Sequence, residues 1–417
     1  MGFKIDRITR ILESRGFHAG GLQVDELVEL HMANSSIEQL WYGCKQLKTP
    51  YLTGILNLES LILEGCTSLS EVHPSLARHK KLQYVNLVNC VSIRILPNNL
   101  EMESLKVFTL DDCSKLEKFP DIVGNMNCLM VLCLDETGIT KISSSIHHLI
   151  GLGLLSMNSC KNFKSIPSSI GCLKSLKKLD LSSCSELKCL PENLGKVESL
   201  EEFDVSGTSI RQLPASVFLS KKLKVLSLDG CKRIVVLPFL TGLCSLEILG
   251  LRSWNLREGA LPEDIGWLSS LRSLDMSQNN SVSLPKNIMR LFELEMLVLE
   301  DCTMLESLPQ VPYKVQMGWS NPRPGFGIAV PGNEIPGWFN HQINGRENYP
   351  SPMSISCNSI QVLSDHIWLF FLSFDYLKEL KEWKNETFSN IELSFHSYKQ
   401  RVKVKNCGVC LLSSRYR

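Results

Sequence analysis

The sequence predicts an α/β solenoid of leucine-rich repeats followed by a small all-β sandwich, and three observations carry that prediction. One frame, LxxLxLxxC, returns along most of the chain; its clearest copy, Ser175–Leu190, reads SLKKLDLSSCSELKCL and is followed by Pro191. The first leucines of the copies stand at 58, 82, 105, 129, 152, 176, 200, 223, 246, 271 and 294, a period of 23 to 25 residues, which is that of leucine-rich repeats. Within LxL the two leucines lie two apart, so both face the same side of a short strand. The period then stops near Leu308-Pro309, and a Pro/Gly-rich stretch gives way to alternating apolar runs.

Each strand therefore has one apolar and one open side. A single repeat is too short to cover its own apolar side, so copies must stack, their strands forming one parallel sheet on a concave face. The LP-containing return segments form an irregular or helical convex side. A column of Cys66, Cys90, Cys113, Cys160, Cys184, Cys231 and Cys302 alternates with Thr137, Thr208 and Asn279 at the same position. A small polar group there is expected to turn inward and cap backbone groups. The cysteines thus read as reduced, structural thiols of a cytoplasmic protein, although the chain holds 16 of them.

In chain order, residues 1–26 read as a short helical remnant, with Ile5, Ile8, Ile11 and Leu12 on one side. The repeats span 27–312. Their opening is irregular: Leu27-Leu30-Met32 begins a unit, but the next first leucine is Leu58, a step too long for one repeat and too short for two. Trp41–Leu56 is accordingly the weakest part of the array. A linker follows at 313–325 and a β-sandwich at 326–417. There Phe326–Val330, Ile367–Phe374, Ile391–Phe395 and Val402–Val404 read as strands, and Tyr376–Lys384 as a short helix.

Composition narrows the function. The net charge is +1, so no global basic excess points to nucleic acid or to a membrane surface. MGFKIDRITRILESRGF has no apolar signal core, and Ile367–Phe374 is too short to span a bilayer. The nine histidines are scattered, with His147-His148 the one adjacent pair. Neither a GxSxG elbow, an HExxH pair nor a GxxxxGK[ST] loop occurs. Cys407 and Cys410 form one CxxC without a second ligand pair. No enzyme activity, cofactor or metal is expected.

The pleat also assigns a candidate surface. If Leu179 and Leu181 point inward, Lys178, Asp180 and Ser182 point out. The matching positions elsewhere supply Glu64, Asp111, Asp135, Glu202, Asp204, Asp229, Asp275 and Glu300, opposed by Lys178 and Arg252. Open strand positions need polar residues for solubility in any case. One sign clustered on one wall would nevertheless favour a protein partner with a basic patch.

The repeat LxxLxLxxCxxLxxLP, with Cys where secreted plant repeat proteins usually carry Asn, resembles that of plant intracellular TIR-type nucleotide-binding leucine-rich-repeat (TIR-NB-LRR) immune receptors. Ser36–Trp41 resembles the IxxLW that opens their repeat domain. Phe326–Gln342, FGIAVPGNEIPGWFNHQ, resembles the signature of their post-repeat jelly-roll/Ig-like domain, C-JID, and Asp365–Leu369 with Cys407-Gly408-Val409 resembles its later strands. The resemblance implies a recognition module of plant innate immunity, truncated to the repeats and C-JID. It would be cytoplasmic, with the nucleus as a second compartment, and bind a pathogen effector or host protein, or a full-length receptor. Glu334 and Trp338 are the expected C-JID contacts, though Glu334 between its turns also suits a loop-holding role. The TIR domain and nucleotide switch of such receptors have no counterpart here. The alternatives are a non-signalling decoy or pseudogene-like fragment, or a repeat scaffold or inhibitor unrelated to immunity.

Overall fold

A computed structural model describes residues 29–31, 33, 57–256, 260–280, 283–299 and 302, together with the strands 326–331, 353–356, 366–373, 393–396 and 409–412. The chain divides into two compact units. One runs through Ile234 and takes in Thr241–Leu246; the other comprises Val235–Leu240 and the chain from Glu247 onward.

The first unit is a stack of three-residue parallel strands, one per repeat. Their central residues Leu30, Leu61, Val85, Phe108, Leu132, Leu155, Leu179, Phe203 and Leu226 stand in register, and all are buried. This is the expected LxL pattern, with flanking residues on the open face. The apolar side of each strand is closed by the return segment, where Ile146, Ile170, Leu194 and Val217 are buried. The return segments contain five-residue 3-10 turns, such as Ser168–Cys172, Glu192–Lys196 and Ala215–Leu219. Pro167, Pro191 and Pro214 precede these three, with φ between −56° and −73°. Proline's fixed φ sets the entry to the turn, which explains the LP of the repeat. The α part of the expected α/β class is corrected here: among the described residues the helical segments are all of this short 3-10 kind. A step of 23 to 25 residues leaves no room for a longer helix.

The irregular opening also resolves. Glu29–His31 pairs directly with Ser60–Ile62, Leu30 opposite Leu61. The unit begun at Leu27 thus stacks directly on the one begun at Leu58; Trp41–Leu56 lies outside the described residues. So do the helix expected in 1–26, the linker, and the elements expected at Tyr376–Lys384 and Val402–Val404.

In the second unit Ile248–Gly250, Ser273–Asp275 and Met296–Val298 continue the same parallel pattern. Trp254 fills the position that Cys holds elsewhere and is buried. Farther on, Phe326–Pro331 pairs antiparallel with His366–Ser373, which pairs in parallel with Val409–Leu412. Met353–Ser356 pairs in parallel with Leu393–His396. Strands therefore lie near three of the expected places, in mixed parallel and antiparallel pairing, and Val402–Val404 falls outside the described residues.

One column was missed from the sequence. Among the described residues, the one before each Cys, Thr or Asn of the ladder has positive φ: Gly65, Asn89, Asp112, Glu136, Ser159, Ser183, Gly207, Gly230 and Gln278. Gly, Asn, Asp and Ser predominate there because they tolerate the left-handed turn that ends the strand; Glu136 and Gln278 obscure the signal.

Candidate protein-binding surface

Beneath the surface lies the cysteine ladder. Each described thiol of the column is buried, and the Sγ donors reach back to the preceding repeat: Cys90 to Leu63 O at 3.0 Å, Cys113 to Leu87 O at 3.2 Å, Cys160 to Leu134 O at 3.0 Å and Cys184 to Met157 O at 3.1 Å. Thr137 and Thr208 instead donate within their own repeat, to Leu134 O at 2.8 Å and Val205 O at 2.7 Å. A hydroxyl takes the near carbonyl, whereas the longer C–S reach spans to the next. Burial pushes the Cys113 thiol up to about 12 and the Cys231 thiol up to about 11, so these sulfurs are inert at physiological pH. The inward, capping role expected for the column is what the geometry shows.

The open face is built on this scaffold. In the first unit the outward strand positions hold Glu29, Glu64, Asp111, Asp135, Asp180, Glu202, Asp204 and Asp229 against the single base Lys178. Lys178 Nζ lies 2.9 Å from Glu202 Oε2, and that bond holds its ammonium above the usual range. The one opposing charge is thus already partnered. Glu64 accepts from Asn86 Nδ2 at 3.1 Å.

The aspartates are half-buried, and Asp111, Asp135, Asp180 and Asp204 each use Oδ1 to hold the backbone. Asp135 N–H donates to Asp111 at 2.9 Å, and Asn158 N–H to Asp135 at 2.7 Å. Ser182 N–H donates to Asp180 at 2.9 Å and Ser206 N–H to Asp204 at 2.8 Å. The solubility reading of these acids is therefore incomplete: they also tie strand ends together. Burial, with the charge of Asp135 adding to it, pushes Asp111 up to about 6. Asp135 and Asp204 are raised too, by burial first and then by the charge of Asp180. A cation brought to this face would relieve that repulsion.

A neighbouring row works the other way. One residue before each strand, Glu59, Gln83 and Lys106 form a hydrogen-bonded ladder, Gln83 Nε2 to Glu59 Oε2 at 2.9 Å and Lys106 Nζ to Gln83 Oε1 at 2.8 Å. Glu201 likewise sits between Lys177 at 3.5 Å and Lys224 at 2.9 Å. In the first unit that row holds Lys106, Lys177 and Lys224 against Glu59 and Glu201, so it offsets only one of the acids of the face. The sequence reading overlooked it, although charged residues recur at this position from Lys177 through Glu201 to Lys224.

In the second unit Arg252 is exposed and Asp275 is half-buried, its Oδ1 accepting from Ser277 N–H at 2.8 Å. The acidic excess thus belongs to the first unit. Glu300, Glu334 and Trp338 lie outside the described residues. Among the described residues no three His, Cys, Asp or Glu side chains are grouped to hold a metal ion, and no helix is long and apolar enough to cross a membrane.

Comparison with known proteins agrees with the repeat reading. The family model described as "Disease resistance protein RPS4B-like, leucine-rich repeats" matches residues 101–189. TMV resistance protein N of Nicotiana glutinosa is 39% identical over 69% of this chain and 27% of its own length. Disease resistance protein RPP2A of Arabidopsis thaliana is 34% identical over 34% of this chain and 12% of its own length. The chain thus spans less than a third of these relatives. Among solved structures, the functional domain of InlJ from Listeria monocytogenes, titled as including a cysteine ladder, is 17% identical, covering 69% of this chain and 56% of its own, with a TM-score of 0.41.

Proposed function

Taking as premise that the repeats of this chain are those of plant TIR-NB-LRR disease resistance proteins, we propose that it is a non-catalytic recognition module of plant defence, binding a protein ligand through the open face of its repeat sheet. The ligand is a pathogen effector or a host protein with a lysine- or arginine-rich patch, and a full-length receptor is a further partner. The observation that carries this reading is the acidic row of the first unit, eight acids whose one opposing base is already paired. Such a field speeds association with a cationic partner and weakens with salt. The strands from 326 onward are read as the C-JID jelly-roll/Ig-like domain, offering a second contact around Glu334 and Trp338. The reduced cysteine ladder supports a cytoplasmic site of action, with the nucleus as a second compartment.

The test replaces charge but keeps the backbone caps. In Asp135→Asn, Asp180→Asn, Asp204→Asn the amide Oδ1 still accepts the N–H bonds, whereas lysine at these positions would remove them. Association with a captured partner should slow, and the salt dependence of the wild type should flatten. An unchanged rate in a folded variant would move recognition to the strands beyond 326.

A further inference from the structure

The open face is not uniformly acidic, and its apolar part has a defined length. On four consecutive strands the first outward residue is Tyr84, Val107, Val131 and Leu154, each standing directly opposite the next in the parallel register. All four are half-buried. On one side Ser60 ends the stripe, and on the other the Lys178–Glu202 pair ends it. Two of these strands continue into Asp111 and Asp135, bonded to each other through the Asp135 N–H. Between stripe and acids lie the small side chains Thr109 and Cys133.

These spacings select a shape. Neighbouring strands are ~4.8 Å apart, so the stripe is ~14 Å long. A helix brings a residue to the same side once per ~5.4 Å turn, and three turns span ~16 Å. An extended segment repeats a face every ~6.8 Å and falls out of register with the stripe after two strands. Across the face, four residues separate Val107 from Asp111, ~13 Å of extended chain, against a helix width of ~10–12 Å. A helix lying across the strands would rest on the small floor, with the stripe at one flank and the carboxylates at the other.

We infer that Tyr84–Leu154 on this face is a docking site for a basic amphipathic α-helix of a partner protein, its apolar ridge on the stripe and its lysines or arginines on Asp111 and Asp135. The occupant is chosen by charge complementarity: among the outward strand positions from Ser60 to Asn158 there are acids and no bases. Half-buried, mutually repelling carboxylates are stabilised by an incoming cation. This inference rests on the open face being a binding surface at all, and refines which ligand shape it takes.

The experiment uses the full chain and three synthetic peptides of about 16 residues, long enough for four turns. The first carries leucine at every third or fourth position with lysines along one flank. The second has the same composition with the leucines scattered, and the third has glutamate for lysine. Fluorescence anisotropy should show the first binding about 10-fold more tightly than the second, with no binding of the third. Asp111→Asn, Asp135→Asn should weaken the first about 5-fold, two surface ion pairs' worth, and Val107→Thr, Val131→Thr, which keeps β-branching and shape, by a similar factor. Glu117→Gln, an exposed acid off the face, should change nothing. Equal binding of the ordered and scattered peptides, or indifference to both double variants, overturns the inference. If no peptide binds while a protein partner cross-links to the same strands through an extended segment, the helix geometry fails and the recognition reading stands. If nothing contacts the face, both fail.

Discussion

Replacing Cys184 tests how the stack is held together. Its side chain is fully buried, and Sγ donates to Met157 O at 3.1 Å. That carbonyl also receives Cys160 N–H, at 3.3 Å, so Cys184→Ala does not orphan it. What is lost is one sulfur's burial, about 0.8 kcal/mol, a residual cavity worth about 0.5 kcal/mol, and a weak thiol bond of about 0.5 kcal/mol. The sum is about 2 kcal/mol. Cys184→Ser should cost less, about 1 kcal/mol, because Thr137 and Thr208 show that a hydroxyl in this column reaches the carbonyl three residues before it. Cys184→Asn should cost most, about 3 kcal/mol, by overpacking and an unpaired amide. Asn279 fits its own site because the preceding repeat turns with two left-handed residues, Ser253 and Asn255, and donates Trp254 N–H and Leu256 N–H to Oδ1 at 3.1 and 3.0 Å. The repeat before Cys184 has only Ser159 left-handed and spends Cys160 N–H on Met157 O. Urea unfolding followed by circular dichroism reads the order as falling midpoints at constant slope. An asparagine variant as stable as wild type would refute the idea that each ladder residue is matched to the turn before it.

Other expectations are independent of that series. Gly151→Ala should destabilise by more than about 2 kcal/mol, since its Cβ would sit 1.9 Å from Asn127 O; a calorimetric midpoint within a degree or two of wild type would contradict the close packing of these return segments. Because Asp111 is raised to about 6, its contribution is favourable while protonated and is lost as pH climbs from about 4 through 6. Asp111→Asn should remove that decline and raise the urea midpoint at neutral pH, and a variant whose pH profile matches wild type would show that this carboxylate is not perturbed. Alkylation with mass-spectrometric mapping should label exposed Cys128, Cys172, Cys189 and Cys244 first and spare Cys90, Cys113, Cys160, Cys184 and Cys231 until denaturant is added; rapid native labelling of the second group would remove the ladder.

The strand positions, their register and the inward cysteines were legible because a period and a pleat fix which side each residue faces. The length of the convex helices was not: five-residue turns such as Glu192–Lys196 carry too little apolar pattern to separate 3-10 from α. The pairing of the first strand was not legible because a period detects equal steps, whereas Leu30 meets Leu61 across an unequal one. At the surface, sequence placed Asp111, Asp180 and Asp204 on the open face but could not say that their Oδ1 atoms hold backbone amides, which depends on turn geometry. Nor did it separate the Lys178–Glu202 pair from the other acids, since that needs the register between two strands. The apolar stripe from Tyr84 to Leu154 was hidden because Val and Leu at those positions look like ordinary strand residues until four of them line up.

The most direct test of the central claim is a cross-linking map of the chain with a protein partner captured from challenged plant tissue, wild type beside Asp135→Asn, Asp180→Asn, Asp204→Asn. The account predicts cross-links from lysines of the partner to the strands between Val107 and Asp204, strongly reduced in the variant. Cross-links confined to residues beyond 326, or the same map and yield from both proteins, would contradict it.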